Sequence, residues 1–332
     1  MLVYLLVHSY LYGSNEWVKE QFDNGIYNQQ DTAGNIPMHY LFGGNYNNCE
    51  LDMELYHRGM KNSDLKIINN SKSSPLHFFF ATCIYDESIA IEVLLSGDMN
   101  QKNDKGNTPL HYAFKQYEIS VFFLRAIKAK ANLKATNNYN NSPLHLLMDT
   151  AVSRDILMEI CDYDVDFNQL SNLSLTPLHI AFKNMLIHYD VQLLNKLLVK
   201  GDPDVVGEFK KTPLHFFLSR KEFKLNLIDV IAAHSNNKSI MIHMAIESDL
   251  QPGKITLLLN EGYIPENQDS NGNTALHIAV LVKKEIEIPK LLILSSHQRQ
   301  VDIKNIVNNN GQTPLMLAIE LKNSNLIKYL SK

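Results

Sequence analysis

Cysteine is scarce in this chain. Cys49, Cys83 and Cys161 are the only three in 332 residues, and no C-x-x-C occurs. An odd, dispersed set encodes neither a disulfide framework nor a thiolate metal site, so a reducing, intracellular setting is expected. Charge is nearly balanced, with 31 Lys and Arg against 35 Asp and Glu, which leaves no global basic field for nucleic acid. No apolar run approaches the roughly 20 residues that span a bilayer. The apolar opening, Leu2-Val3-Tyr4-Leu5-Leu6-Val7, lacks the basic start and small-residue cleavage site of a signal peptide, and is expected to be an opening helix. H-E-x-x-H, a phosphate-binding glycine loop and G-x-S-x-G are all missing. The sequence therefore gives no reason to expect an enzyme, a cofactor or a bound metal.

Histidine, by contrast, recurs on a fixed period. His39, His77, His111, His145, His179, His215, His243 and His277 are separated by 38, 34, 34, 34, 36, 28 and 34 residues. Most close one phrase: Ser74-Pro75-Leu76-His77, Thr108-Pro109-Leu110-His111, Ser142-Pro143-Leu144-His145, Thr176-Pro177-Leu178-His179 and Thr212-Pro213-Leu214-His215. Looser copies lie at Ile36 to His39, Ile240 to His243, Thr274 to His277 and Thr313 to Met316. A period near 34 that fills the chain implies a solenoid.

The phrase is a helix start. Thr or Ser is a good N-cap, and proline at the first helical position loses nothing by lacking an N–H. Leu110, Ala113 and Phe114 then follow at helical spacing. Ahead of the cap lie turns that tolerate left-handed backbone, such as Asp104-Lys105-Gly106-Asn107. After it comes a second amphipathic stretch, such as Val191 to Leu198, which several times closes on glycine, as at Gly97, Gly201 and Gly262. Neither helix can bury its apolar side alone, and stacking the hairpins buries both.

Asp104-x-Gly106-x-Thr108-Pro109-Leu110-His111-x-Ala113 and Ser270-Asn271-Gly272-Asn273-Thr274-Ala275-Leu276-His277-Ile278-Ala279 carry a family resemblance. The chain resembles the ankyrin-repeat proteins, in nine anchors that cover essentially its whole length. The resemblance implies an all-α solenoid of nine to ten helix-turn-helix repeats with turn or β-hairpin tips, forming a single domain over 1–332. Residues 1–30 would be a partial first repeat, 31–306 repeats one to eight, and 307–332 the last. The repeat near 210–243 is shortened and the one near 277–316 carries a loop insertion.

It further implies a non-catalytic module that binds a partner protein on a concave face made by the tips and the first helices. Carried over position by position, the contact residues are Lys105, Asn107, Lys115 and Gln116 in repeat three. Tyr139, Asn141, Asp149 and Thr150 follow in repeat four, Leu173, Leu175, Lys183 and Asn184 in repeat five, and Phe209, Lys211, Ser219 and Arg220 in repeat six. Repeat four is acidic at Asp155, Glu159, Asp162, Asp164 and Asp166. Repeat six is basic at Lys210, Lys211, Arg220, Lys221 and Lys224. With Phe209 it could anchor an acidic segment of the partner; no nucleic-acid or membrane partner is implied.

The periodic histidines do not make a metal site. Stacked helices lie roughly 8–10 Å apart, whereas zinc needs its ligand nitrogens about 2 Å from one ion. Each imidazole is expected to tie its own turn to a neighbour by hydrogen bonds. Among the aromatic clusters most rings should fill the core, with Phe80 and Phe209 the best candidates for exposure. Cys161 is expected to be a packed thiol. Two alternatives remain: a self-assembling or adaptor fragment of a longer protein, whose ends would be covered by another copy, and an enzyme hidden in the irregular repeats. The Asn-, Lys-, Ile- and Tyr-rich composition resembles proteins of AT-rich genomes, among which intracellular bacteria and large DNA viruses direct ankyrin proteins at host factors. That would place the chain in a host cytosol.

Overall fold

A computed structural model describes residues 14–43, 52–82, 87–115, 120–150, 152–184, 190–219 and 225–332. The expected helix at Leu2 to Tyr12 lies outside them. All regular structure among them is helical, and the chain divides into two compact units, Met1–Leu173 and Ser174–Lys332.

Both units are built from helical hairpins. In the first, the short helices Pro37–Gly43, Pro75–Ala81, Pro109–Ala113 and Pro143–Met148 stack in order, while Glu87–Ser96, Val121–Lys130 and Arg154–Ile160 form a parallel second row. In the second, Pro177–Lys183, Pro213–Leu218, Met241–Glu247, Ala275–Leu281 and Pro314–Glu320 stack likewise. Their partners include Val191–Lys200 against Leu225–His234, and Pro252–Asn260 against Glu287–Gln298. The apolar positions read from the sequence are the core: Leu110, Ala113 and Phe114 are fully buried, as are Leu193, Leu194 and Leu197.

Phe80 corrects the expectation made for it. It is wholly buried, packed edge-on against Phe79 and at a tilt against Phe123 of the next repeat. Three consecutive aromatics span most of a helix turn, and Phe78 is the one turned away from the core. Phe78 meets the His39 ring edge-on, as Tyr112 meets His77 and Phe216 meets His179.

Departures from the phrase have local consequences. In the 28-residue interval after His215 no glycine tip forms. A 3₁₀ turn, Lys238–Ile240, leads directly into Met241–Glu247. The repeat with the widest spacing holds a 12-residue second helix, Glu287–Gln298.

Candidate functional site

The tips are turns, and no strand occurs among the described residues. Most tips are closed from within by an Asn or an Asp. Asn137 Oδ1 accepts the backbone N–H groups of Tyr139 and Asn141 at 2.9 and 3.0 Å, and Asn103 does the same for Lys105 and Asn107. Its amide reaches the preceding repeat, with Asn137 Nδ2 donating to Asn107 Oδ1 at 2.8 Å and Asn308 Nδ2 to Asn273 Oδ1 at 3.1 Å. One backbone bond joins tip to tip, as Asn138 N to Lys105 O or Asn309 N to Asn271 O. Gly106 is required in this arrangement. Its φ is +73°, and a Cβ would sit 2.7 Å from the Asn138 nitrogen.

The histidines form a second ladder beneath the tips. The N-cap N–H of Thr108 donates to His111 Nδ1 at 3.1 Å, and the Thr108 hydroxyl lies 2.9 Å from the same nitrogen. An N–H can only donate, so Nδ1 is unprotonated and the hydrogen is on Nε2. Nε2–H donates to Asn141 O of the next repeat at 3.0 Å. His39 to Ser73 O, His77 to Asn107 O, His179 to Lys211 O, His243 to Asn273 O and His277 to Gln312 O repeat the rung. Burial pushes the pKa of His77, His111 and His179 down to about 4, and lowers those of His39, His243 and His277. These neutral imidazoles are engaged on both nitrogens wherever the cap is intact, which leaves them no lone pair for a metal or a substrate.

The ladder changes where the phrase is lost. Without a tip carbonyl, His215 Nε2 meets the Glu247 carboxylate at 2.9 Å, and His215 and Lys211 hold the Glu247 carboxyl below its ordinary range. Ile240 is not extended and its N–H goes to Asn237 O, so His243 Nδ1 is buried without a hydrogen-bond partner.

The expected contact residues fall into groups. Lys105, Lys115, Tyr139 and Asp149 of the first unit are exposed, as are Lys183 and Ser219 of the second. Asn107 and Asn141 are half-buried and built into the ladder, each lending its carbonyl to a histidine. Thr150 is half-buried and donates to Leu147 O. Leu173 is well exposed, and Leu175 and Asn184 are half-buried. Lys211 is half-buried, and its ammonium donates to Glu247 O at 3.1 Å, so it is only partly available to an acidic ligand. Gln116, Arg220, Lys221 and Lys224 lie outside the described residues. For Phe209 the backbone is described, within Glu208–Lys210. Of the acidic group, Glu159 pairs with Arg125 at 3.2 Å and Asp164 with Lys134 at 2.5 Å.

Neither the asparagine ladder nor the edge-on contact of each post-histidine aromatic was read from the sequence. The signal for the first was present, in Asn or Asp five residues before most caps.

Comparison with known proteins finds a family match over part of the chain and similar solved structures. Residues 242–332 match the family model described as ankyrin repeats (3 copies). Among solved structures the chain is similar to the crystal structure of the ankyrin repeat domain of Bcl-3, titled a unique member of the IkappaB protein family. Identity is 20%, the match covers 66% of this chain and 100% of that chain, and the TM-score is 0.46. No curated protein matches the chain. The cap and histidine rung of the matched segment recur upstream at Ser74 and His77, Thr108 and His111, and Thr176 and His179.

Proposed function

We propose that this chain is an ankyrin-repeat protein throughout, and a non-catalytic module whose tips and exposed first-helix positions bind a partner protein on the concave face. One observation carries the reading: the tip backbone is locked by the buried amides and inter-repeat bonds, while the side chains it presents, Lys105, Tyr139 and Leu173 among them, point into solvent. A surface held in place before association loses less conformational entropy on binding than a loop that must be ordered. Repetition multiplies the effect, since a standard interface uses roughly 20–30 residues a side.

Photo-crosslinking residues placed at Lys105, Tyr139 and Lys183, and separately at the exposed second-helix positions Leu95 and Val199, test the face. Adducts in host-cell lysate should form from the first set. Adducts from the second set alone would refute the assignment. The composition extends the proposal to a host-directed effector. Recovery of the protein from the cytosol of an infected cell supports that extension, and its retention in the producing cell removes it.

A further inference from the structure

The tip face has one stretch unlike its neighbours. No charged side chain occurs from Ala135 to Met148 or from Phe167 to Phe182, whereas the preceding tip carries Lys102, Asp104 and Lys105. Within the first unit this stretch exposes large apolar groups. Tyr139 is 60% exposed, Leu173 67% and Leu170 39%. Asn172 N donates to Tyr139 O at 2.8 Å, which sets the two tips side by side.

The amides around these side chains are turned inward. Asn137 closes its own tip, Asn138 Nδ2 donates to Asp104 O, Asn140 Nδ2 to Asn172 Oδ1, and Asn172 Nδ2 to Asn138 O. Groups that could read a sugar or a nucleobase are thus already occupied by the ladder. The large side chains that face outward are a phenol ring and two leucines, set among asparagines whose amides are already bonded within the tips. A charged residue pressed against the ring and the leucines would lose its hydration there and find no charged group within the stretch itself, while Lys102, Asp104 and Lys105 lie on the preceding tip.

We propose that the tips bearing Tyr139 and Leu173 bind an uncharged segment of a partner protein anchored by aliphatic or aromatic side chains. This rests on the reading that the tip face binds proteins, and it names a chemistry opposite to an acidic ligand at Lys211. Scattered exposed leucines are ordinary on a protein surface. Here the inference is carried by their adjacency, the lack of charged residues in the two stretches themselves and the engagement of the amide donors named above.

Three fluorescent peptide pools test it, each with apolar residues at alternate positions and with Ser and Asn, Glu, or Lys between them. Anisotropy is measured with the full chain and with its Tyr139→Ser/Leu173→Ser variant, whose altered side chains take no part in the ladder. The neutral pool should bind best, weaken at least about tenfold in the variant, and be indifferent to salt up to about 0.5 M. Preference for the Glu or Lys pool, equal binding by the variant, or no binding by any pool overturns the proposal. A neutral peptide that crosslinks at Lys105 or Lys183 and survives the double substitution would sink this inference alone. One that crosslinks only at Leu95 or Val199 would sink the binding face as well.

Discussion

Acidification from pH 7 to pH 5 should destabilise this protein through its histidine ladder before its carboxylates titrate. His77, His111 and His179 are buried, and burial holds each pKa at about 4 against about 6.5 in an unfolded chain. The folded pKa is the lower one, so the unfolded chain binds more protons between the two values and stability falls as pH falls through that window. For one such imidazole the loss by pH 5 is about 2 kcal/mol. His77 and His111 should together cost the first unit about 4 kcal/mol and His179 the second about 2 kcal/mol, and the lowered His39 in the first and His243 and His277 in the second add losses of the same sign. Glu159 and Glu247, whose pKa values are lowered by Arg125 and by His215, add their own loss only below about pH 4.5.

Urea denaturation at both pH values, read by hydrogen exchange of peptides from each unit, measures these losses separately. His111→Gln supplies the control. Its amide can accept from the Thr108 N–H and donate to Asn141 O, but it cannot take a proton at pH 5. The variant should be modestly less stable at pH 7, with the first unit's loss on acidification smaller by about 2 kcal/mol. A stability flat between pH 7 and pH 5, or a loss identical in wild type and variant, would refute the ladder as the acid-labile element.

Two further substitutions probe the tips. Asn137→Ala removes the acceptor for two buried-turn N–H groups and the donor to Asn107 Oδ1; it should cost about 2–3 kcal/mol in urea denaturation, and a cost near zero would show the amide ladder to be idle. Lys72 holds φ of +57° where other tips carry glycine. Lys72→Gly should therefore raise stability by about 1 kcal/mol, seen as a higher melting temperature, whereas Asn140→Gly should gain less because asparagine tolerates that region. A fall in melting temperature for Lys72→Gly would rule the strain out.

Much of the architecture was legible because it is written in local chemistry. Thr108-Pro109 starts a helix wherever it occurs, and Leu110, Ala113 and Phe114 fall on its inner face whatever lies across from them. The histidine rungs could be anticipated from spacing alone, since stacked imidazoles are too far apart to share an ion yet near enough to reach the next turn. What escaped depends on groups 30 or more residues away. Phe80 was expected outside because the sequence does not show that Phe123 arrives from the next repeat to cover it. Asn107 was expected to meet a partner, yet its carbonyl and side chain face His77 and Asn137. Position in the repeat identified the candidate face, but only the contact geometry separates the Tyr139 side chain, which is exposed and outside the ladder, from that of Asn107, which accepts from Asn137 within it.

That separation explains why this fold can present varied surfaces without losing its frame. The rungs require only a backbone carbonyl just ahead of each cap, and that group is the same whether the residue is Ser73, Asn107, Asn141, Lys211 or Gln312. Where an asparagine closes the tip, its amide likewise grips backbone N–H groups, whether the outward residue is Ser71, Lys105, Tyr139 or Asn310. Side chains at the outward position are therefore decoupled from stability. Where the backbone pattern itself fails, after His215, a side chain must supply the missing acceptor, and Glu247 does so at the cost of joining the frame to a titratable group. His243 receives no such replacement and leaves a buried nitrogen unpartnered. The irregular repeat is where frame and surface chemistry cease to be independent, and a change at Glu247 should disturb the rung at His215 as well as the surface around Lys211.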